Sequence, residues 1–123
     1  METTILLVGN VIFGGYFFLM GINHFLKSDM LSGYASSKGV PFPKTANILA
    51  GLFLTLGGLG IVAGLYIVLS SILLIVFLIA VNFMIHSFWK NKNADEKASD
   101  LQHFLKNTAL IGALLALIAR VMM

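Results

Sequence analysis

ANILAGLFLTLGGLGIVAGLYIVLSSILLIVFLIAVNFMIHSFW, residues Ala46 to Trp89, contains not one Asp, Glu, Lys or Arg. As a single helix at about 1.5 Å per residue this stretch would be roughly 66 Å long, about twice the hydrocarbon thickness of a bilayer. It must therefore cross twice. The fold point is expected near Gly57, Gly58, Gly60 and Gly64, because closely spaced glycines weaken a helix, and Gly60 and Gly64 would let two backbones approach. The middle of the chain is thus a helical hairpin, about residues 45–63 and 65–88, with a short apolar turn at the membrane surface.

The composition agrees with this reading. Hydrophobic residues make up 59% of the 123 and charged residues only 11%, with a mean hydropathy of +0.95; a soluble domain of this size could not cover itself with a polar surface. Transmembrane strands would read as roughly ten-residue alternating segments, whereas these runs are continuous. There is no cysteine, so disulfides, thiolate metal sites and dithiol redox chemistry are excluded. The net charge is +3 and the pI about 9.4. Because the lysines sit in polar segments beside the apolar runs, they read as orientation signals and lipid contacts rather than as a nucleic-acid surface.

A second uncharged run, residues 3–26, lies between Glu2 and Lys27 and is long enough to cross once. No basic residue precedes it and no small-residue cleavage site follows, so it is expected to remain as span one rather than be removed as a signal peptide. Asn10 within it is expected to make an interhelical hydrogen bond. The segment KSDMLSGYASSKGVPFPK, Lys27 to Lys44, is too polar to span. Ser28 and Asp29 are expected to cap a short interfacial helix over residues 30–37, Gly39 to end it, and Val40-Pro41-Phe42-Pro43 to form a stiff extended lead into span two. KNKNADEKASD, Lys90 to Asp100, reads as a solvated loop, and span four as residues 101–123, with Lys106 and Arg120 near enough to its ends to snorkel. The expected fold is all-α: one transmembrane domain over residues 1–123, a four-helix bundle of two hairpins with a short interfacial segment between helices one and two. Seven basic residues (Lys27, Lys38, Lys44, Lys90, Lys92, Lys97, Lys106) lie on the loop side and Arg120 alone on the other. The polar loops are therefore expected in the cytoplasm and both termini outside.

Polar side chains gather towards the loop side. His24 ends span one, His86 ends span three and His103 opens span four, each with an asparagine nearby. Asn82 and His86, and likewise His103 and Asn107, are four residues apart and would share helical faces. Trp89, Phe88, Phe104 and Tyr34 fall at the same level. One reading is a headgroup-level belt. Another is a pocket lined by Asn23, His24, Asn82, His86, His103 and Asn107 that hydrogen-bonds the head of a quinone or similar amphiphile. A third is metal or haem ligation by the histidines, disfavoured because no helix carries a two-histidine signature and no acid joins them within the membrane. No cofactor is required by the sequence. No span has a charge at its centre, which argues against an ion path. With no nucleophile paired to a base, no phosphate loop and no paired carboxylates, intrinsic catalysis is not indicated; Asp95, Glu96 and Asp100 are expected in a mobile loop unsuited to acid/base work.

Four pieces of the chain stand out in order: Gly14-Gly15 with Gly21-Ile22-Asn23-His24-Phe25, then Gly39-Val40-Pro41-Phe42-Pro43, then Leu56-Gly57-Gly58-Leu59-Gly60, and finally His86-Ser87-Phe88-Trp89 with the run from Phe104 to Gly112. Through them the chain resembles the DoxX family of small four-helix bacterial and archaeal membrane proteins. The last piece is the most specific. Many members carry a glutamate in helix two ahead of the glycine pair; Leu52-Phe53-Leu54-Thr55 here has no acid. The family is linked to thiosulfate:quinone oxidoreductase and to membrane complexes that handle sulfur or oxidative stress. The resemblance thus implies a prokaryotic cytoplasmic membrane, a redox neighbourhood and a larger membrane complex as partner. The expected function is that of an accessory or structural subunit of a membrane oxidoreductase or oxygenase, the alternative being a quinone-interacting component.

Overall fold

The computed structural model describes all 123 residues as five α-helices: α1 (Glu2–Leu26), α2 (Ser28–Ser37), α3 (Pro43–Ala63), α4 (Ile67–Met84) and α5 (Ala94–Met122), with a 3-10 turn at Phe88–Lys90. α1, α3, α4 and α5 are each long and apolar enough to cross a membrane, and α2 is the short polar connector. The fold is a four-helix transmembrane bundle.

Close backbone approach sets the order of packing. A Cβ placed on Gly14 would lie 2.6 Å from the Gly58 carbonyl and 2.8 Å from the Val62 nitrogen, and one on Gly21 would meet Thr55 and the Gly51 carbonyl. α1 and α3 therefore touch backbone to backbone, the packing that small residues permit in lipid, where no hydrophobic force draws helices together. α3 leans on α4 through glycines that receive side chains, with Gly57 against Leu74 and Gly60 against Ser70. α4 in turn packs on α5, whereas no Cα of α1 comes within 8 Å of one in α4 or α5. α1 and α5 are joined by side chains, with Lys106 Nζ donating to Tyr16 Oη at 3.3 Å. Phe17, Leu54, Ile61, Leu74, Leu78 and Leu114, drawn from all four spans, meet in the centre.

The turn of the central hairpin is Gly64–Tyr66. Gly64 has φ +71°, and the Leu65 N–H reaches back to the Gly60 carbonyl at 2.9 Å, the Schellman arrangement that a C-terminal glycine allows. Gly57, Gly58 and Gly60, expected to mark the fold point, lie inside α3 because their value there is close packing. Tyr66, with φ +50°, caps α4, so that helix begins two residues later than expected. It also ends earlier, at Met84.

Four further expectations are corrected. Lys27, not Ser28 or Asp29, is the N-cap of α2, and no side chain bonds the helix start. The lead into α3 is not extended throughout, because Phe42 takes a left-handed φ of +48° at the N-cap, with Pro43 following at the first position of the helix. Asn10 is buried on α1 but forms no interhelical hydrogen bond; the close seam with α3 is built by glycines instead. The segment 90–100 is not a loop throughout. Asn93 caps α5 by accepting from the Asp95 N–H at 2.8 Å and the Glu96 N–H at 3.3 Å, and Asp95 and Glu96 complement the positive helix end.

Candidate functional site

Extending α5 back to Ala94 gives it 29 residues, about 44 Å at 1.5 Å per residue, so roughly a third of it must lie beyond a 30 Å hydrocarbon core. Most of that third is the polar start, residues 94–100. Asp100, Asn107 and Leu114 are the buried residues of α5, and their spacing of seven places them on one inward face. Asp100 is thus turned towards the bundle, only 4% exposed.

Three donors from two segments, the end of α2 and the α4–α5 connector, converge on this carboxylate. Lys38, just past α2, donates from Nζ to Oδ2 at 2.8 Å. Asn91, in the connector between α4 and α5, donates from Nδ2 to Oδ2 at 2.6 Å. His86, just past α4, lies with Nδ1 3.1 Å from Oδ1. An ionised carboxylate only accepts, so His86 carries its proton on Nδ1 and, when neutral, leaves Nε2 as a basic atom. Burial works against ionisation of Asp100, but the hydrogen bonds from Lys38, Asn91 and His86 outweigh it and hold the carboxyl at about 2. The bond to Asp100 likewise raises Lys38 above the usual lysine range. A buried charge is tolerated when its lone pairs are filled in this way. The cluster ties α2, the α4–α5 connector and the start of α5 together at the loop end.

The six residues expected to line a pocket divide into groups. His86 and His103 stack, with ring centroids 4.7 Å apart and planes 21° from parallel. His103 sits in the third turn of α5 rather than opening the span, and His86 follows α4 by two residues, its N–H bonded to the Val81 carbonyl at 3.0 Å, so Asn82 and His86 do not share a helical face. Asn82 is buried on α4 and points its Nδ2 at the Phe104 carbonyl and Thr108 Oγ1, each at 3.4 Å, while its Oδ1 has no partner. Asn107 is buried one turn beyond His103. His24 is separate: its Nδ1 donates to the Met20 carbonyl at 2.8 Å and its ring meets Phe77 edge-on at 6.1 Å. Asn23 is half-buried beside it. The three histidines do not come together as a ligand set. Phe83, Phe88, Trp89 and Phe104 form a ring cluster with centroids 5.3–6.0 Å apart, whereas Tyr34 lies on α2 near Lys38.

Asp100, Lys38 and Asn91 were absent from the sequence-derived set. The signal for Asp100 was present in Asn93-Ala94-Asp95-Glu96: an N-cap residue with a glutamate three places on marks a helix start. Phased from there, Asp100 falls on the face of Asn107 and Leu114. Nothing local marks Lys38 or Asn91.

Fold and site together define a four-span helical membrane protein whose loop end is closed by a buried ionic cluster. The family model for DoxX matches residues 5–87, more than half of the chain, and the protein belongs to the DoxX family. The matched range stops before α5, so the likeness of Phe104 to Gly112 rests on the sequence motif alone. Comparison with curated proteins and with solved structures gives no match.

Proposed function

We propose that this chain is a small accessory or structural subunit that docks on a larger membrane complex through α5. The observation that carries the reading is the outer face of that helix. Leu114, on the opposite side, is fully buried, while Ala109, Gly112, Ala116 and Ala119 all face outward, and a Cβ on Gly112 would meet nothing within 4 Å. α5 also exposes Leu105 and Leu115, and the outward faces of the other spans carry large residues such as Ile5, Ile12 and Leu19 on α1, Leu52, Leu56 and Leu59 on α3, and Leu69, Ile72 and Ile79 on α4. A row of small residues is the surface on which a second transmembrane helix packs closely. That the partner is an oxidoreductase or oxygenase rests on the family resemblance alone. The test is recovery of the tagged chain from native membranes in mild detergent, with mass spectrometry of what accompanies it. Stoichiometric recovery of a larger enzyme's subunits supports the proposal, and recovery of the chain alone sinks it.

A second reading, a site for the head of a quinone or similar amphiphile, is favoured by the Asp100–His86–His103 arrangement, in which a carboxylate orients one imidazole and a second ring stacks on it. His86→Ala should then weaken quinone binding while the bundle still folds; unchanged binding removes this reading. For orientation, the excess of lysines at the loop end supports placing that end in the cytoplasm. With no native cysteine in the chain, Ser37→Cys should be shielded from an impermeant thiol reagent in intact cells; labelling there reverses the topology.

A further inference from the structure

The geometry points to a lipid site that is separate from both the α5 face and the histidine layer: a groove between α3 and α4, under α2, that takes one acyl chain of an anionic phospholipid. The α3–α4 seam is closed near the hairpin turn, where Gly57 and Gly60 meet Leu74 and Ser70. Towards the loop end a groove of about 250 Å³ opens between the helices, with Ala35 of α2 and the following Val40 among its lining residues, both of them buried. The volume is small beside the roughly 300–1,000 Å³ of ordinary small-molecule sites, which suits a single hydrocarbon chain.

Twelve of the thirteen lining residues are hydrophobic, so a polar ligand would find nothing to bond. The exception is Asn47, whose amide nitrogen already donates to the His24 carbonyl at 2.9 Å and to Ser28 Oγ at 3.4 Å. Leu49, Val76, Ala80 and Met84 line the groove and are also exposed on the outer surface. The groove therefore opens sideways, into hydrocarbon, and a chain can enter it only from the bilayer.

The headgroup would then stay at the level of α2. Two lysines stand at that level: Lys27 at the N-cap of α2 and Lys44 at the second position of α3. Both are exposed, and the salt bridges at this end use Lys38 and His86, not these two. Unpaired cations above an apolar groove match a phosphate headgroup without a compensating cation, since each surface lysine adds attraction for an anionic lipid.

The test uses the full chain in mild detergent, exchanged into phosphatidylglycerol or phosphatidylcholine and examined by native mass spectrometry. One phosphatidylglycerol should be retained per chain, about thirtyfold in preference to phosphatidylcholine, as two lysines near the phosphate would give. Ala80→Phe, a change at an exposed position, should abolish retention of both lipids while leaving the helical spectrum unchanged. Ala50→Leu provides a second plug should the first variant not fold. Lys27→Gln combined with Lys44→Gln should lower phosphatidylglycerol to the phosphatidylcholine level without altering the latter. Full retention by a folded plug variant overturns the site, and equal retention of the two lipids by the unaltered chain overturns the anionic headgroup.

Discussion

The seam between α1 and α3 and the outer face of α5 are both built of small residues, yet Gly14, Gly21 and Gly58 are pressed against backbone while a Cβ on Gly112 would meet nothing within 4 Å and Ala109 and Ala116 are exposed. Burial follows the same division: 33% of the apolar stretch of α3 is buried against 11% of that of α5. In water the two surfaces would differ in hydrophobicity. In lipid they differ in whether a second backbone is close enough to use the space a missing side chain leaves. A small residue on a transmembrane helix is therefore informative only when its neighbour is known.

The comparison is broken most directly at Gly14. Gly14→Leu forces a side chain into the Gly58 carbonyl and Val62, and overpacking of this kind should cost about 3 kcal/mol. Loss of the monodisperse peak in detergent, with a lowered unfolding temperature, is the expected outcome, and a variant as stable as the parent would mean that α1 and α3 are not in backbone contact. A smaller effect is expected at the loop end. Asp100→Ala leaves Lys38 and Asn91 without their acceptor and should cost about 2 kcal/mol, read as a drop in unfolding temperature at neutral pH.

The same residue sets a pH dependence with a defined sign. The folded carboxyl, at about 2, lies below the ordinary 3.8, so its contribution is complete above about pH 4 and disappears as the pH falls through 2. The unfolding temperature of the parent should fall across that window and that of Asp100→Ala should fall less. Equal slopes would show that the ionised carboxylate is not what ties the loop end together. The least effect on the chain itself is expected at Gly112. Gly112→Leu should change its stability by no more than about 0.5 kcal/mol yet strip the larger complex from the tagged protein. A variant that keeps its partners would move the docking face away from α5.

The four spans and the connector helix were legible in the sequence because each is fixed by a long-range average: an uncharged run of sufficient length, broken by polar segments. Gly64 as the turning point was legible too, although the fold point was expected near Gly57, Gly58 and Gly60 as well, which belong to the packed seams, a role expected only of Gly60 among the three. A glycine weakens a helix in isolation and strengthens one packed against a neighbour, and composition does not distinguish the two cases. The ionic cluster was missed for a different reason. Asp100 sits in a run whose hydrophilicity suggests solvent, and only the phase set by the Asn93 cap turns it inward. Lys38 and Asn91 join it by tertiary contact across 62 and 9 residues, which no local pattern encodes. His24 and His86 look equivalent as helix-end histidines, but one satisfies itself within its own helix and the other is claimed by Asp100.

The turn at Gly64–Tyr66 bears on how the protein enters its membrane. Its three residues carry no charge, and the amides of Gly64 and Leu65 are already bonded to carbonyls of α3, at 3.2 and 2.9 Å. Moving this tip through hydrocarbon exposes little more than the Tyr66 hydroxyl and a few carbonyl oxygens. α3 and α4 can thus partition as a single wedge, without a separate translocation step for their connector. With the loop end in the cytoplasm, as proposed from its excess of lysines, that end need not cross the membrane at all.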